Sequence, residues 1–119
     1  MKQLGQLEAR VMQRLWESGR PLAVRDVLED LQRERDIAYT TVMTVMDHLH
    51  RKNLVRREKV GRAYLYSATT TREAHTASLL EQVLADSSNP SGTLMHFVGQ
   101  LSPDELAALR SALDEAGGG

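Results

Sequence analysis

The apolar residues of this chain keep a helical period up to Leu49 and a period of two after Asn53, and both lie in one continuous stretch, residues 38 to 62. With Val42 set to zero and about 100° per residue, Val45, Met46 and Leu49 fall within about 60° of it, as one inward stripe. Thr40, Thr44, Asp47 and Arg51 fall within about 40° of the opposite pole, flanked by Met43 and His48. Such a helix buries one side and presents a threonine-studded side to solvent. After Asn53, Val55-Arg56-Arg57-Glu58-Lys59-Val60, the turn Gly61-Arg62 and Ala63-Tyr64-Leu65-Tyr66-Ser67-Ala68 predict a β-hairpin. Arg51, Lys52, Arg56, Arg57, Lys59 and Arg62 stand against Glu58 alone, so residues 51–62 carry +5 in a 119-residue chain of net charge −1.

Two helices lead into this stretch. Leu4, Leu7, Val11, Met12 and Leu15 predict the first, from about Leu4 to Glu17, stopped by Gly19 and Pro21. Val24, Val27, Leu28 and Leu31 predict the second, roughly Val24 to Arg33, with Ala23 where a capping Ser or Thr is expected. Helix, helix, helix, hairpin is the order of a winged helix-turn-helix. The expected fold is therefore mainly α: a winged helix-turn-helix domain over residues 1–70, then a helical region over residues 71–119.

In that second region Thr70-Thr71-Arg72-Glu73 has the form of a capping box and predicts a helix ending near Asp86. Ser87-Ser88-Asn89-Pro90-Ser91-Gly92 reads as a breaker cluster before a short apolar element, Thr93 to Val98. Ser102-Pro103-Asp104-Glu105 predicts the start of a last helix, and Gly117-Gly118-Gly119 a frayed end. Residues 71–119 carry two Arg and seven acidic residues, a charge of −5 that DNA would repel. Their apolar positions, Leu80, Leu84, Phe97, Leu106, Leu109 and Leu113 among them, offer more surface than three short helices hide, which predicts a homodimer.

The composition narrows the function. There is no cysteine, hence no disulfide framework, thiolate metal site or thiol nucleophile. His48 and His50 diverge on a helix, and no Ser/His/Asp spacing, phosphate loop or HExxH is present, so no catalytic residue, cofactor or metal ligand is expected. No apolar run is long enough to cross a bilayer, and a cytoplasmic protein is expected. A local basic stripe on a near-neutral chain fits contact with the phosphates of double-stranded DNA. Thr40, Thr41 and Thr44 are the candidates for base reading, bordered by Tyr39 and His48, because a short hydroxyl meets base edges and its methyl meets thymine. Arg51, Lys52, Arg57, Lys59, Arg62 and Tyr64 are the candidates for phosphate. Asp47 is expected to pair with a neighbouring Arg. The competing classes are a winged helix that docks an acidic protein surface and a regulator with a small-ligand pocket.

Four segments together resemble the BlaI/MecI (penicillinase repressor) family, over nearly the whole length: Leu7-Glu8-Ala9-Arg10-Val11-Met12-Gln13-Arg14-Leu15-Trp16, Ala38-Tyr39-Thr40-Thr41-Val42-Met43-Thr44, Leu49-His50-Arg51-Lys52-Asn53-Leu54-Val55, and Gly61-Arg62-Ala63-Tyr64-Leu65-Tyr66. The usage is most similar to that of actinobacterial members. The resemblance implies a homodimeric repressor on a palindromic operator, with a C-terminal helical dimerisation part. In members that govern β-lactam resistance, it further implies a membrane sensor-protease that triggers cleavage between Asn and Phe. The matching bond here is His96-Phe97, with His in place of Asn. The copper-sensing CopY branch uses paired cysteines, which this chain does not have.

Overall fold

The computed structural model describes residues 5–117; Leu4, Gly118 and Gly119, which belong to the expected first helix and frayed end, lie outside the described residues. The order is α1 (Gln6–Ser18), β1 (Leu22–Ala23), α2 (Val24–Gln32), α3 (Tyr39–Arg51), β2 (Val55–Val60), β3 (Ala63–Ala68), α4 (Arg72–Ala85), α5 (Pro90–Gly99) and α6 (Pro103–Gly117). The chain divides into two compact units between Leu79 and Leu80, within α4.

The first unit is a winged helix. Its core is one mainly aliphatic cluster in which Val11, Met12 and Leu15 of α1, Val27 and Leu31 of α2, and Val42, Met46 and Leu49 of α3 are buried, with Tyr66 of β3 the one buried aromatic among the described residues. The inward stripe expected for α3 is thus the stripe observed, Val45 being half-buried beside it. α1 ends at Gly19, whose φ of 68° is the left-handed conformation that glycine adopts without a Cβ clash. At the start of α2, Ala23 has no capping side chain, and Asp26 supplies the cap in reverse: its carboxylate accepts from the Ala23 N–H at 2.9 Å. Arg10 and Arg14 of α1 both pair with Glu34, just past α2.

Sequence periodicity misses β1. Two residues are too few to show a period, yet Leu22 and Ala23 pair antiparallel with Tyr66 and Leu65, so the sheet has three strands in the order β1-β3-β2. The hairpin itself has the expected bounds, with Val60 opposite Ala63 across the two-residue turn. Gly61, at φ 64°, is the first residue of that turn, where such loops favour glycine.

α3 ends in a Schellman motif. The Asn53 N–H donates to the His50 carbonyl and the Leu54 N–H to the Leu49 carbonyl, both at 3.0 Å, and Asn53 takes φ 62°. Leu54 then packs against the core beside buried Leu49, which turns the chain from α3 into β2 and sets where the wing begins.

The helices after the wing differ from expectation in two places. The α4 cap is Thr71 and not Thr70: the Thr71 hydroxyl accepts from the Ala74 N–H at 3.1 Å, while the Thr70 carbonyl accepts from Trp16 Nε1 at 2.9 Å. α5 starts at Pro90, three residues before the expected element, because the Asn89 side chain caps it at the Gly92 N–H and proline suits the first helical position. The start of α6 is as expected, with Ser102 and Glu105 exchanging side-chain-to-backbone bonds of 3.1 and 2.9 Å. None of α4, α5 and α6 buries a described residue completely.

Candidate nucleic-acid interface

The side of α3 opposite the core is open. Tyr39, Thr40, Thr41, Met43, Thr44 and His48 are all exposed. The first turn has neither an acidic residue nor a side-chain cap, so its positive dipole end is not neutralised from within. Gln32 Nε2 donates to the Ile37 carbonyl at 3.3 Å, and Ile37 packs on the core, which fixes the turn that delivers the chain into α3. The Thr44 hydroxyl donates to the Thr40 carbonyl at 2.9 Å. Its one proton is thereby used, and what Thr44 presents outward is a lone-pair acceptor and a methyl group.

The expected pairing of Asp47 is present. Its carboxylate accepts from Arg51 Nη2 at 2.6 Å, one turn along α3, and lies 3.8 Å from Arg57 Nη1 on β2. The two strands of the hairpin bring Arg57 opposite Tyr66, with Tyr64 two residues along the same face of β3. The Arg57 guanidinium stands over the Tyr64 ring, 4.6 Å from its centroid. Hydrogen bonding with the Tyr66 side chain outweighs desolvation and raises the Arg57 pKa above its ordinary value. Between these groups and Thr44, Met43 and His48 lies a cleft of about 370 Å³.

The basic residues of the stretch therefore fall into two sets. Arg56, Lys59 and Arg62 are exposed on the wing and form no ion pair among the described residues. Arg51, Lys52 and Arg57 are held: Arg51 by Asp47, Arg57 by Asp47 and the two tyrosines, and Lys52 by Glu8 of α1, Nζ to Oε2 at 2.8 Å. Lys52 caps the end of α3 and its side chain turns to α1. Charge counting draws no line between the sets; only the partners do. Tyr66 is the member of the site that the sequence reading left out, and the signal was there, since it shares the face of Tyr64 at a spacing of two.

In the second unit, Leu80, Phe97 and Leu113 are 64, 51 and 62% exposed, and Leu84, Leu106 and Leu109 are half-buried. The His96-Phe97 bond lies inside α5, whose last turn is closed by the Gln100 N–H on the Phe97 carbonyl at 3.0 Å.

A family model described as penicillinase repressor matches residues 4–115 of this chain. Transcriptional regulator BlaI of Mycobacterium tuberculosis, in strain CDC 1551 / Oshkosh and in strain ATCC 25618 / H37Rv, is 43% identical over 118 residues, which cover 97% of this chain and 86% of that protein. Among solved structures, transcriptional regulator Tm0710 from Thermotoga maritima matches with a TM-score of 0.50 at 17% identity, over 96% of this chain and 74% of that one, a likeness of fold.

Proposed function

Since the chain belongs to the penicillinase repressor family, which is one of transcriptional regulators and not of enzymes, we propose that it represses transcription as a homodimer bound to a palindromic operator. The observation that carries this reading is the open threonine face of α3 together with three unpaired wing cations, Arg56, Lys59 and Arg62, in the same compact unit. In the proposed complex α3 enters the major groove and Thr40, Thr41 and Thr44 meet base edges, with Tyr39 and His48 at the borders. Arg62 and Tyr64 on the wing, with Lys52 at the end of α3, grip the neighbouring phosphates, and Arg51 stands beside them, held by Asp47. Lys52 exchanges Glu8 for a phosphate to do so.

A palindrome needs two copies, and α4–α6 supply a reason for a second. Met95 at 76%, Leu80 at 64% and Leu113 at 62% are large apolar side chains left in water by the single chain. Covering them by the same surface of a second copy recovers about 25 cal/mol per Å² of apolar area. No helix among the described residues is long and apolar enough to cross a membrane; the repressor works beside its operator, in the cytoplasm.

Release by a membrane sensor-protease in response to a cell-wall or β-lactam signal belongs to the same proposal, with His96-Phe97 as the bond cut. Because that bond is helical, a protease that takes extended substrate has to open α5 first, and cleavage is then governed by local unfolding.

The test of the proposal is a gel shift of the full chain on the DNA upstream of its own gene. A discrete complex at protein concentrations on the order of 10⁻⁸ M, with a scrambled duplex bound about a thousandfold more weakly, is expected. Equal binding of the two duplexes overturns it.

A further inference from the structure

Within the operator-binding reading, on which this inference rests, we propose that Arg57 is a positioning residue that fixes the wing against α3, and not a ligand of phosphate. Side chains from both sides of the cleft meet at its guanidinium. The Tyr64 ring lies beneath it at 4.6 Å, Tyr66 stands directly across the strand pair, and Asp47 reaches it from α3 at 3.8 Å. Asp47 in turn holds Arg51 at 2.6 Å, so one carboxylate ties the reading helix to β2.

A two-stranded hairpin has little stability of its own and twists easily. Here β1 covers only the middle of β3, at Leu65 and Tyr66, so the outer end of the hairpin, from Lys59 to Tyr64, has no third strand. Arg57, opposite Tyr66, stands in the three-stranded part, two residues before Lys59, where that support is gone. Its side chain is 30% exposed, whereas Arg56, its neighbour on the opposite face, is exposed and unpaired. To contact phosphate, Arg57 would have to give up the Tyr64 ring, its place across from Tyr66 and Asp47 together, whereas Lys52 has only Glu8 to exchange. The same contacts serve a different end if the angle between wing and reading helix decides how many phosphates Arg62 and Lys59 meet.

The test uses the full chain, into which Glu29→Cys and Glu58→Cys place spin labels on α2 and the wing; no native cysteine interferes. Labelled protein is diluted with unlabelled protein so that only distances within one copy are read. Arg57→Gln is expected to broaden the distance distribution and to weaken operator binding by about tenfold, the scale of one well-placed contact, with the dependence of log K on log salt unchanged. Tyr64→Leu removes the other half of the contact at a surface position and is expected to broaden the distribution in the same way. By comparison, Arg62→Ala is expected to leave the distribution narrow and flatten the salt slope by about one. A distribution as narrow as the parent's in Arg57→Gln, or a slope flattened by about one, overturns the assignment. The distance measurement needs no DNA, so failure of the operator reading and failure of this one are told apart.

Discussion

The Asp47 carboxylate and the Arg51 guanidinium form a 2.6 Å ion pair one turn apart on the side of α3 opposite the core, the side proposed to face DNA. An exposed pair at this spacing stabilises a helix by only a few tenths of a kcal/mol, so its value to the fold is small. Its effect on binding is larger, because the acid lies where phosphates approach and occupies a cation that would otherwise displace counterions. Asp47→Asn is therefore expected to raise affinity for scrambled DNA several-fold and to steepen the salt slope by about one. Titration of scrambled duplex at several salt concentrations measures both; an unchanged slope shows that Arg51 is already free to reach phosphate.

Thr44 gives its hydroxyl proton to the Thr40 carbonyl, which leaves it able to accept from a base but not to donate. A cytosine or adenine amino group is the matching donor, and thymine offers a methyl for its methyl. Thr44→Val keeps the methyl and deletes the acceptor. It is expected to cost about 1 kcal/mol or more of discrimination between operator and point-changed operators if the acceptor reads a base. Equal affinities for all duplexes in parent and variant would assign the contact to the methyl instead.

Asn53 holds the left-handed position that lets α3 hand over to the wing. Asn53→Gly is compatible with φ 62° and should leave stability near the parent's, whereas Asn53→Val places a β-branched side chain there and is expected to cost about 1–2 kcal/mol. Urea unfolding followed by Trp16 fluorescence checks this. A Val variant as stable as the parent would mean that the end of α3 rearranges at no cost.

Glu105 accepts from the Ser102 backbone N–H, and its hydrogen bonds with Ser102 hold its pKa below the ordinary glutamate value. A depressed pKa means that the folded state binds the proton more weakly than the unfolded one. The contribution is present above the unfolded pKa and is lost as pH falls through the lowered, folded one. The start of α6 is thus expected to loosen only at acid pH. Observing the Glu105 carboxylate by NMR through an acid titration should give a depressed midpoint that rises partway in Ser102→Ala, since the backbone donor remains; the same midpoint in both would remove the hydroxyl from the account.

The features legible in the sequence are those whose signals are local. The reading helix and hairpin show themselves through a stripe at Val42, Val45, Met46 and Leu49, an alternation after Asn53, and glycine at the turn. β1 does not, since Leu22 and Ala23 become a strand only through their partners on β3. Asn89-Pro90 reads as a break, but the same pair is a cap and a first helical residue, and only the helical residues beyond Pro90 decide between the two. Arg57 and Arg62 look alike in a charge count. The difference between them is cross-strand register, which sets Arg57 opposite Tyr66 and leaves Arg62 in the turn.

The most direct test of the central claim, that two linked copies of α3 read successive major grooves, is the affinity of the full chain for its operator before and after about five base pairs are inserted at the dyad, half a helical turn. The account predicts a loss of about a hundredfold or more, because the half-sites then lie on opposite faces of the duplex. Undiminished binding to the lengthened operator would contradict it.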